Sequence, residues 1–365
     1  MVLSALAVAG CGAGASRGTG SAPARTTVAA AGSTDAAVGR RIDAYLTDLV
    51  GRHQFRGSVL VARGDSIVLD KGYDTGANAD SAHTRYRIGS LTKQFTALAV
   101  LKLQEQGRLR VTDRVCVHLP ECPPAWRQVT IAQLLTHTSG IPDYTTLSDY
   151  AAVSTTTRTP DQLMALFRDK PLQFRPGSQW KYSNSGYALL GYVIERTARM
   201  SYASFLQREI LDPLGLTETG YDTDRPDPVT HAIGYADWTH PAAYLDMSIP
   251  YAAGALYSTT TDLYRWDRFL LTDSPRIVTP ATLAQLFTPR VSIDPHATKA
   301  SRYGYGWFID GSPANPIYDH DGDINGFVSL NQIQPRGQLA IVILSNLEPT
   351  EVRDIGDEII ATLGG

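Results

Sequence analysis

The sequence predicts an α+β protein in which one antiparallel sheet is assembled from both ends of the chain. Two strand-like runs, 58–62 and 66–69, lie near the start and are joined by an Arg-Gly-Asp hairpin turn. Three more strand-like runs lie between residues 303 and 344, and the chain between the two groups is mainly helical or loop-like. Strands at both ends favour a single sheet flanked by helices, with a mostly helical inserted subdomain.

Each helix is predicted by apolar residues that recur at helical spacing. The first covers 41–53, and the second begins in the stretch 88–95 and ends at Gly107. Further helices are predicted at 130–135, 161–170, 187–200, 202–211 and 351–363, and the three late strands at 303–309, 326–333 and 338–344.

The composition is that of a globular protein with one large core or two subdomains. The chain has 365 residues, of which 43% are hydrophobic and 19% charged. The net charge is −3 and no basic run exceeds two residues, so nothing indicates a nucleic acid or an anionic membrane surface as partner. No apolar run reaches the roughly 18 residues that a membrane span needs.

The first eleven residues end in small side chains followed by a cysteine, Val8-Ala9-Gly10-Cys11. This resembles the lipobox of a bacterial lipoprotein signal, with Cys11 as the lipidated residue. Residues 12–39 have few large apolar side chains and are predicted to be a disordered tether to a domain at 40–365. The protein would then be extracytoplasmic and held to the membrane only through the lipid; the alternative is a disordered Ala-rich terminus.

Cys116 and Cys122 flank a loop of five residues. In an exported protein we expect them to form a disulfide, which across so short a loop contributes about 2 kcal/mol. The alternative is a pair of free thiols in a cytoplasmic protein. Neither a Cys-x-x-Cys pair nor a nearby set of histidines supports a zinc site.

Ser90 and Lys93 stand one helical turn apart at the start of the second helix. A hydroxyl at the start of a helix interacts with the unpaired backbone N–H groups and with the positive end of the helix dipole. A lysine amine beside it could take its proton. A second Ser-x-x-Lys, Ser178 to Lys181, follows a Pro-Gly turn and opens no amphipathic helix. Ser90 is therefore the candidate nucleophile, and the alternative is a capping serine beside an exposed lysine.

Three short motifs follow one another along the chain: Ser90-x-x-Lys93, Tyr182-Ser183-Asn184 and His320-Asp321-Gly322. Their order and surroundings are similar to those of serine hydrolases that share a fold with class C β-lactamases and D-alanyl-D-alanine carboxypeptidases. The resemblance covers about residues 40 to 363 and extends to the segments 134–141, 176–177, 212–216, 253–254 and 258–259. It implies a β-lactamase/transpeptidase-like fold.

The motifs differ from the set S-x-x-K, S-D-N and K-T-G of class A β-lactamases and penicillin-binding proteins. A tyrosine replaces the first serine of the middle motif, and a histidine replaces the lysine of the third. No His-Glu-x-x-His, phosphate-binding loop, dinucleotide fingerprint or Gly-x-Ser-x-Gly elbow is present in the sequence.

The chemistry and the resemblance together assign catalytic roles to three residues. Ser90 would attack a carbonyl carbon and form an acyl-enzyme. Lys93 and Tyr182 are the candidates for taking its proton, and the resemblance implies Tyr182 as general base and then as proton donor to the leaving group. A phenol has an ordinary pKa near ~10, and a cationic neighbour such as Lys93 would favour its phenolate.

The remaining motif residues are predicted to bind substrate. Asn184 would hold Lys93 and the substrate through its amide. His320 would lie at a strand edge, hydrogen-bonded to Tyr182 or to a substrate carboxylate, and Gly322 would let the substrate approach the backbone closely. The ordinary alternatives are a helix-capping asparagine and a turn before a strand.

The resemblance implies an oxyanion hole formed by the backbone N–H groups of Ser90 and Asp323. His137 is interpreted as a structural loop histidine that neighbouring backbone satisfies. Asp143 and Tyr144 are candidates for lining the cleft, which the sequence does not decide.

The sequence therefore predicts an exported serine hydrolase that cleaves amide or ester bonds through an acyl-enzyme, without a metal or organic cofactor. A D-alanyl-D-alanine carboxypeptidase, a D-aminopeptidase and an esterase share this machinery, and a β-lactamase is the alternative. A non-catalytic penicillin-binding or cell-surface sensor protein is the alternative of another class.

The partner is expected to be a small molecule or short peptide, such as a peptidoglycan fragment. His320 in the place of a lysine disfavours an efficient β-lactamase. Asp321 and Asp323 flank Gly322 with negative charge, which would disfavour a substrate carboxylate and favour an amine or a neutral ester.

Overall fold

The structure, a computed structural model, describes residues 26–73, 83–223, 230–272, 277–293 and 301–364, with side chains from residue 35 onward. The predicted signal segment, Cys11 and the first part of the predicted tether lie outside these ranges. Within them, no helix combines the length and the apolar character needed to cross a bilayer.

The strands of the described ranges form two antiparallel sheets. They are β1 Gly57–Arg63, β2 Ser66–Tyr73, β3 Tyr86–Arg87, β4 Gly220–Tyr221, β5 Leu256–Ser258, β6 Val291–Ser292, β7 Arg302–Tyr303, β8 Phe308–Ser312, β9 Asn315–Ile324, β10 Phe327–Gln334 and β11 Leu339–Ser345. The large sheet has the order β2-β1-β11-β10-β9-β8-β7-β6, and the small one the order β3-β5-β4.

The large sheet joins the two ends of the chain, as the sequence predicts. Strand β1 pairs antiparallel with β11, with Gly57 opposite Ser345 and Arg63 opposite Leu339. The resulting α+β architecture confirms the predicted fold class. The small sheet was not predicted, because its strands are only two or three residues long.

The predicted strand at 303–309 is two strands, β7 and β8, separated by a turn. Gly306 in this turn has φ 77°, and a Cβ atom there would lie 2.7 Å from the Lys93 carbonyl oxygen. The turn therefore packs directly against the helix that follows Ser90, which only glycine permits.

Twelve α-helices cover the two faces of the sheet in the described ranges. They are α1 Thr26–Gly51, α2 Thr92–Glu105, α3 Ile131–Leu135, α4 Tyr150–Val153, α5 Pro160–Ala165, α6 Asn184–Ala198, α7 Tyr202–Leu206, α8 Asp212–Leu214, α9 Tyr251–Gly254, α10 Thr260–Leu271, α11 Pro280–Leu283 and α12 Val352–Gly364. A π-helical turn, Gln207–Leu211, continues α7.

The first helix begins earlier than predicted, so the boundary of the disordered tether at residue 39 was wrong. Helix α1 starts at Thr26, and Val38 is buried. A Cβ atom on Gly39 would lie 2.3 Å from the Val68 carbonyl oxygen, so this part of α1 packs closely on β2. Alanine is the strongest helix former, so an alanine-rich segment can be helical when it continues into a helix whose later residues pack on the protein.

The sheet separates two hydrophobic cores because successive side chains of a strand point to opposite faces. Val59 and Val61 of β1 pack with α1 and α12, whereas Leu60 and Ala62 pack with α2 and the inserted helices. Eleven of the fourteen residues of α2 are buried. This helix is the central element of the larger core, and it fixes the site built on its first turn.

Cys116 and Cys122 form a disulfide, as predicted, with Cα atoms 5.2 Å apart. The bridge closes a short 3-10 segment, Val115–His118, at the edge of the inserted subdomain.

Candidate active site

Ser90 lies in a 3-10 turn, Gly89–Leu91, that leads directly into α2. Gly89 has φ 49°, and a Cβ atom on it would lie 3.0 Å from the backbone nitrogen of Asp323. The turn therefore requires glycine, and it places the nucleophile candidate against β9. The half-buried Ser90 opens into a cleft of about 670 Å³.

Lys93 points from the first turn of α2 at Ser90. Its Nζ atom is hydrogen-bonded to Ser90 Oγ over 2.9 Å, to Asn184 Oδ1 over 2.9 Å and to the Ala253 carbonyl over 2.8 Å. The side chain is fully buried, and burial lowers the pKa of Lys93 to about 7, although the charges of Asp143 and Asp321 act in the opposite direction. A large fraction of the amine is then neutral near pH 7 and can accept a proton.

Asn184 is held from both sides of its amide. Its Oδ1 accepts from Lys93, and its Nδ2 donates to Asp143 Oδ2 over 3.1 Å. The predicted contact with Lys93 is therefore present. Asp143 is buried and its charge raises the pKa of Lys93 more than that of Asp321 does, and Tyr144 lines the cleft. The sequence left both undecided because no motif marks the loop that carries them.

Tyr182 reaches the same site from the segment before α6. Its hydroxyl is hydrogen-bonded to Ser90, and Lys93 Nζ lies 4.8 Å from its ring centroid. Burial raises the pKa of Tyr182 well above 10, and the bond to Ser90 only partly opposes this. The expectation of a favoured phenolate was therefore wrong, because burial disfavours the charged form and the charges of Asp321 and Asp143 disfavour it further.

His320 lies on β9 beside this group, but its ring nitrogens bond to other groups than the predicted Tyr182. Its Nδ1 lies 2.6 Å from the Asp321 carbonyl oxygen, and its Nε2 lies 3.1 Å from the Tyr303 hydroxyl. The ring centroids of His320 and Tyr182 are 6.2 Å apart. Both ring nitrogens are thus engaged by the protein, and burial lowers the pKa of His320, so the ring is neutral.

Gly322 has a packing role that the sequence did not reveal. A Cβ atom on it would lie 2.1 Å from the Ile88 carbonyl oxygen and 2.4 Å from Ser329 Oγ. The glycine therefore admits the protein's own backbone, and it lets β9 pack against the segment that ends in Ser90. This packing also brings the Asp323 backbone nitrogen beside Gly89, where the predicted oxyanion hole would lie.

The outer part of the cleft is acidic. Among the described residues that line it, Asp321, Asp323 and Glu348 are acidic, and none is lysine or arginine. Asp321 forms an ion pair with Arg353 over 2.6 Å. The expected negative charge beside Gly322 therefore comes mainly from Asp323, with Glu348 added by the structure. Burial raises the pKa of Asp323, and the charge of Glu348 raises it further.

Three sequence motifs thus converge on one cleft. In the described part of the chain, no group of three or more His, Cys, Asp or Glu side chains is arranged to hold a metal ion. The fold is that of the β-lactamase and penicillin-binding protein type, and within it Ser90 is hydrogen-bonded to both Lys93 and Tyr182. The chain belongs to the beta-lactamase family, whose model, described as Beta-lactamase, matches residues 42–364.

Several known proteins are similar to this chain. The curated protein flp of Staphylococcus aureus (strain COL) is 31% identical over 323 residues, which is 82% of this chain and 61% of that protein. The chain therefore spans about three fifths of the length of this relative. The structure of the octameric penicillin-binding protein homologue from Pyrococcus abyssi is 26% identical with a TM-score of 0.77, covering 88% of this chain and 76% of that one.

A D-stereospecific amidohydrolase from a Streptomyces species is also similar. Its crystal structure is 28% identical to this chain with a TM-score of 0.75, and the match covers 88% of this chain and 97% of that chain.

Proposed function

We propose that the protein hydrolyses amide or ester bonds of small substrates through an acyl-enzyme on Ser90. The observation that carries the proposal is the hydrogen bond of 2.9 Å between Ser90 Oγ and the buried Lys93 amine. A hydroxyl is a poor nucleophile unless a neighbouring base takes its proton, and a lysine with a pKa of about 7 is such a base.

In the proposed reaction, Lys93 accepts the Ser90 proton while Ser90 Oγ bonds to the substrate carbonyl carbon. The negative charge that develops on the carbonyl oxygen is met by the backbone N–H groups of Ser90 and Asp323. Tyr182, a neutral phenol hydrogen-bonded to Ser90, donates a proton to the leaving amine or alcohol and recovers one from Lys93. Water then attacks the acyl-enzyme, and the acid and free Ser90 are released.

We propose further that the substrate carries an amino group near the scissile bond in place of a free carboxylate. His320 is neutral and has both nitrogens engaged, so it offers no cation to a carboxylate. Asp323 and Glu348 at the outer cleft favour a positive group instead. The similarity to the D-stereospecific amidohydrolase supports D-amino-acid amides or short peptides with a free amine as the substrate class.

The test is a matched substrate panel with wild type and Ser90→Ala. A D-amino-acid amide is compared with its N-acetyl derivative, and an N-acylated D-alanyl-D-alanine peptide with its C-terminal amide. We expect Ser90-dependent turnover that favours the free amine and does not favour the carboxylate. A clear preference for the carboxylate would contradict the substrate class, and wild-type turnover no greater than that of Ser90→Ala across esters and amides would contradict the hydrolase.

A third matched comparison uses benzylpenicillin and intact mass measurement of both protein and drug. Rapid Ser90-dependent drug hydrolysis without an adduct would indicate a β-lactamase, and a lasting Ser90-dependent adduct would indicate slow deacylation. An adduct that never turns over, without hydrolysis of any substrate, would indicate the non-catalytic sensor.

We also propose that the protein is exported and anchored through a lipid on Cys11, where peptidoglycan fragments would be accessible. The paired Cys116 and Cys122 support an oxidising compartment. Expression in a bacterial host, followed by fractionation of wild type and Cys11→Ala, tests this. We expect only the wild type to remain with the membrane, and equal distribution of the two forms would contradict the anchor.

A further inference from the structure

A row of three buried side chains connects the two walls of the cleft. The Ser183 backbone N–H donates to His137 Nδ1 over 3.1 Å, and His137 Nε2 lies 3.2 Å from the Tyr303 hydroxyl. The same hydroxyl lies 3.1 Å from His320 Nε2. All three side chains are at least 99% buried, so the hydrogen bonds are not shared with bulk water.

The hydrogen positions in this row follow from its two ends. His137 Nδ1 accepts a backbone N–H, so a neutral His137 carries its proton on Nε2 and donates it to Tyr303. At the other end, His320 Nδ1 lies 2.6 Å from a carbonyl oxygen, which can only accept, so this nitrogen carries the proton. The Nε2 lone pair of His320 then accepts the Tyr303 hydroxyl hydrogen.

We propose that Tyr303 and His137 are positioning residues that hold His320 as its Nδ1-protonated neutral tautomer and fix the Tyr182 segment relative to β9. The direction of all four hydrogen bonds is the same along the row. The Tyr303 hydroxyl also interacts with the side chain of Tyr187, whose own hydroxyl hydrogen goes to the Leu135 carbonyl. Neither Tyr303 nor His137 touches the reacting atoms. The kinetic part of this inference rests on the proposed function, whereas the tautomer does not.

The backbone around His137 supports a role beyond loop packing. His137 has φ 58°, a left-handed conformation that is uncommon for a residue other than glycine. Its ring stacks on Tyr182 with centroids 4.3 Å apart, so its position sets that of the tyrosine. Strained backbone of this kind persists where the surrounding structure over-determines it, as at functional sites.

The row also determines what His320 presents to the substrate. With Nδ1–H on the Asp321 carbonyl and Nε2 on Tyr303, the ring offers the cleft no hydrogen-bond donor and no charge. Tyr303 thereby contributes to the exclusion of a carboxylate-anchoring interaction at this wall.

The tautomers can be measured in the wild-type protein with ¹⁵N-labelled histidine. Two-bond ¹H–¹⁵N spectra near pH 7 distinguish Nδ1–H, Nε2–H and imidazolium forms, and His320→Gln and His137→Gln identify the two signals among the eight histidines. We expect His320 as Nδ1–H and His137 as Nε2–H. A proton on Nε2 of His320, or a mixture of its tautomers, would overturn the proposal.

The variant pair Tyr303→Phe and Tyr202→Phe separates positioning from general packing. Tyr202 is equally buried, and its hydroxyl bonds to Thr96 instead of a histidine. We expect Tyr303→Phe to move the His320 Nε2 resonance towards that of an unbonded lone pair and to lower kcat/KM about tenfold, mostly through kcat. Tyr202→Phe should change neither, and equal effects of both variants would contradict the role of Tyr303.

Failure of this inference is distinguishable from failure of the proposed function. Absence of Ser90-dependent turnover with the predicted tautomers would overturn only the function. Ser90-dependent turnover with His320 in another tautomer would overturn only the positioning role. If Tyr303→Phe does not fold, the wild-type spectrum alone decides the tautomer.

Discussion

The amine of Lys93 is hydrogen-bonded to the hydroxyl of Ser90 over 2.9 Å and is closed off from solvent. Lysine is an ammonium ion in water at neutral pH, and in that form it could only donate a hydrogen bond to the Ser90 oxygen and could not take the Ser90 proton. Burial lowers the pKa of Lys93 to about 7 and so makes the neutral amine accessible. Most of the chemical predictions follow from this one shift.

We predict that kcat/KM rises between pH 5 and pH 8 with a midpoint near 7, because activity requires the neutral amine of Lys93. Lys93→Arg should lose at least about a hundredfold in kcat at every pH in this range, since a guanidinium stays protonated. Initial rates across the pH range test both. A wild-type rate that stays flat down to pH 5 would show that Lys93 is not the base.

We predict that Asp143→Asn moves the acid limb of the pH profile to lower pH. The negative charge of Asp143 raises the pKa of Lys93, so its removal lowers that pKa, while the amide keeps the size of the side chain. The exposed Asp149→Asn variant of the same loop is the control and should leave the profile unchanged. An upward shift for Asp143→Asn would mean that the electrostatic assignment is incorrect.

We predict that Gly322→Ala damages both activity and stability. The added methyl group would lie 2.1 Å from the Ile88 carbonyl oxygen, so β9 must move away from the Ser90 turn. We expect a loss of about 2 kcal/mol in unfolding free energy and of about a hundredfold in kcat/KM. Gly337→Ala, whose methyl group would have its nearest neighbour at 4.0 Å, should be tolerated. Similar behaviour of the two variants would contradict the close approach.

The fully buried Asp267 gives a prediction about stability and pH. Burial raises the pKa of Asp267 well above its ordinary value, although a hydrogen bond from Asn331 opposes this. The stability contributed by the protonated acid is present below the unfolded-state pKa and is lost as the pH rises. Asp267→Asn should therefore match wild type near pH 4 and exceed it by about 1 kcal/mol or more at pH 8. Denaturant unfolding at the two pH values measures this, and a stability gap independent of pH would refute it.

We predict that the double variant Cys116→Ser, Cys122→Ser lowers the unfolding free energy by about 2 kcal/mol and leaves kcat/KM within a factor of two. The bridge closes a short loop in the inserted subdomain, away from the cleft-lining residues. Denaturant unfolding and steady-state rates test this. The wild type with its disulfide reduced is the matched comparison for the double variant. A large loss of kcat/KM at unchanged stability would contradict it.

The site residues that belong to short local motifs could be predicted from the sequence. Ser90, Lys93 and Tyr182 were predicted because each lies in a motif with recognisable neighbouring residues. The structure brings their side chains together. Tyr303 was missed as a site residue and Asp143 was left undecided, because only the fold brings their segments to the motifs. The electrostatics were likewise beyond the sequence, since the pKa of a buried group depends on what surrounds it in space.

The strands likewise divide into those that the sequence predicted and those that it did not. Apolar strands such as β1 and β11 were predicted, since their burial is visible as continuous hydrophobic runs. Strand β9, which borders the cleft, was not predicted, because it is rich in polar residues and has no alternating apolar pattern. The polar residues that β9 contributes to the cleft therefore hid the hydrophobic pattern by which a strand is predicted.

Strand β11, residues 339–345, lies between β1 and β10 near the middle of the large sheet. During synthesis every other strand of the large sheet leaves the ribosome before it, so the edge of β1 stays open until residues 339–345 have emerged. We expect nascent chains to be prone to edge pairing during that interval and to depend on chaperones that shield exposed strands. A chain that ends before residue 339 would therefore be cleared by proteases instead of accumulating as a shortened enzyme.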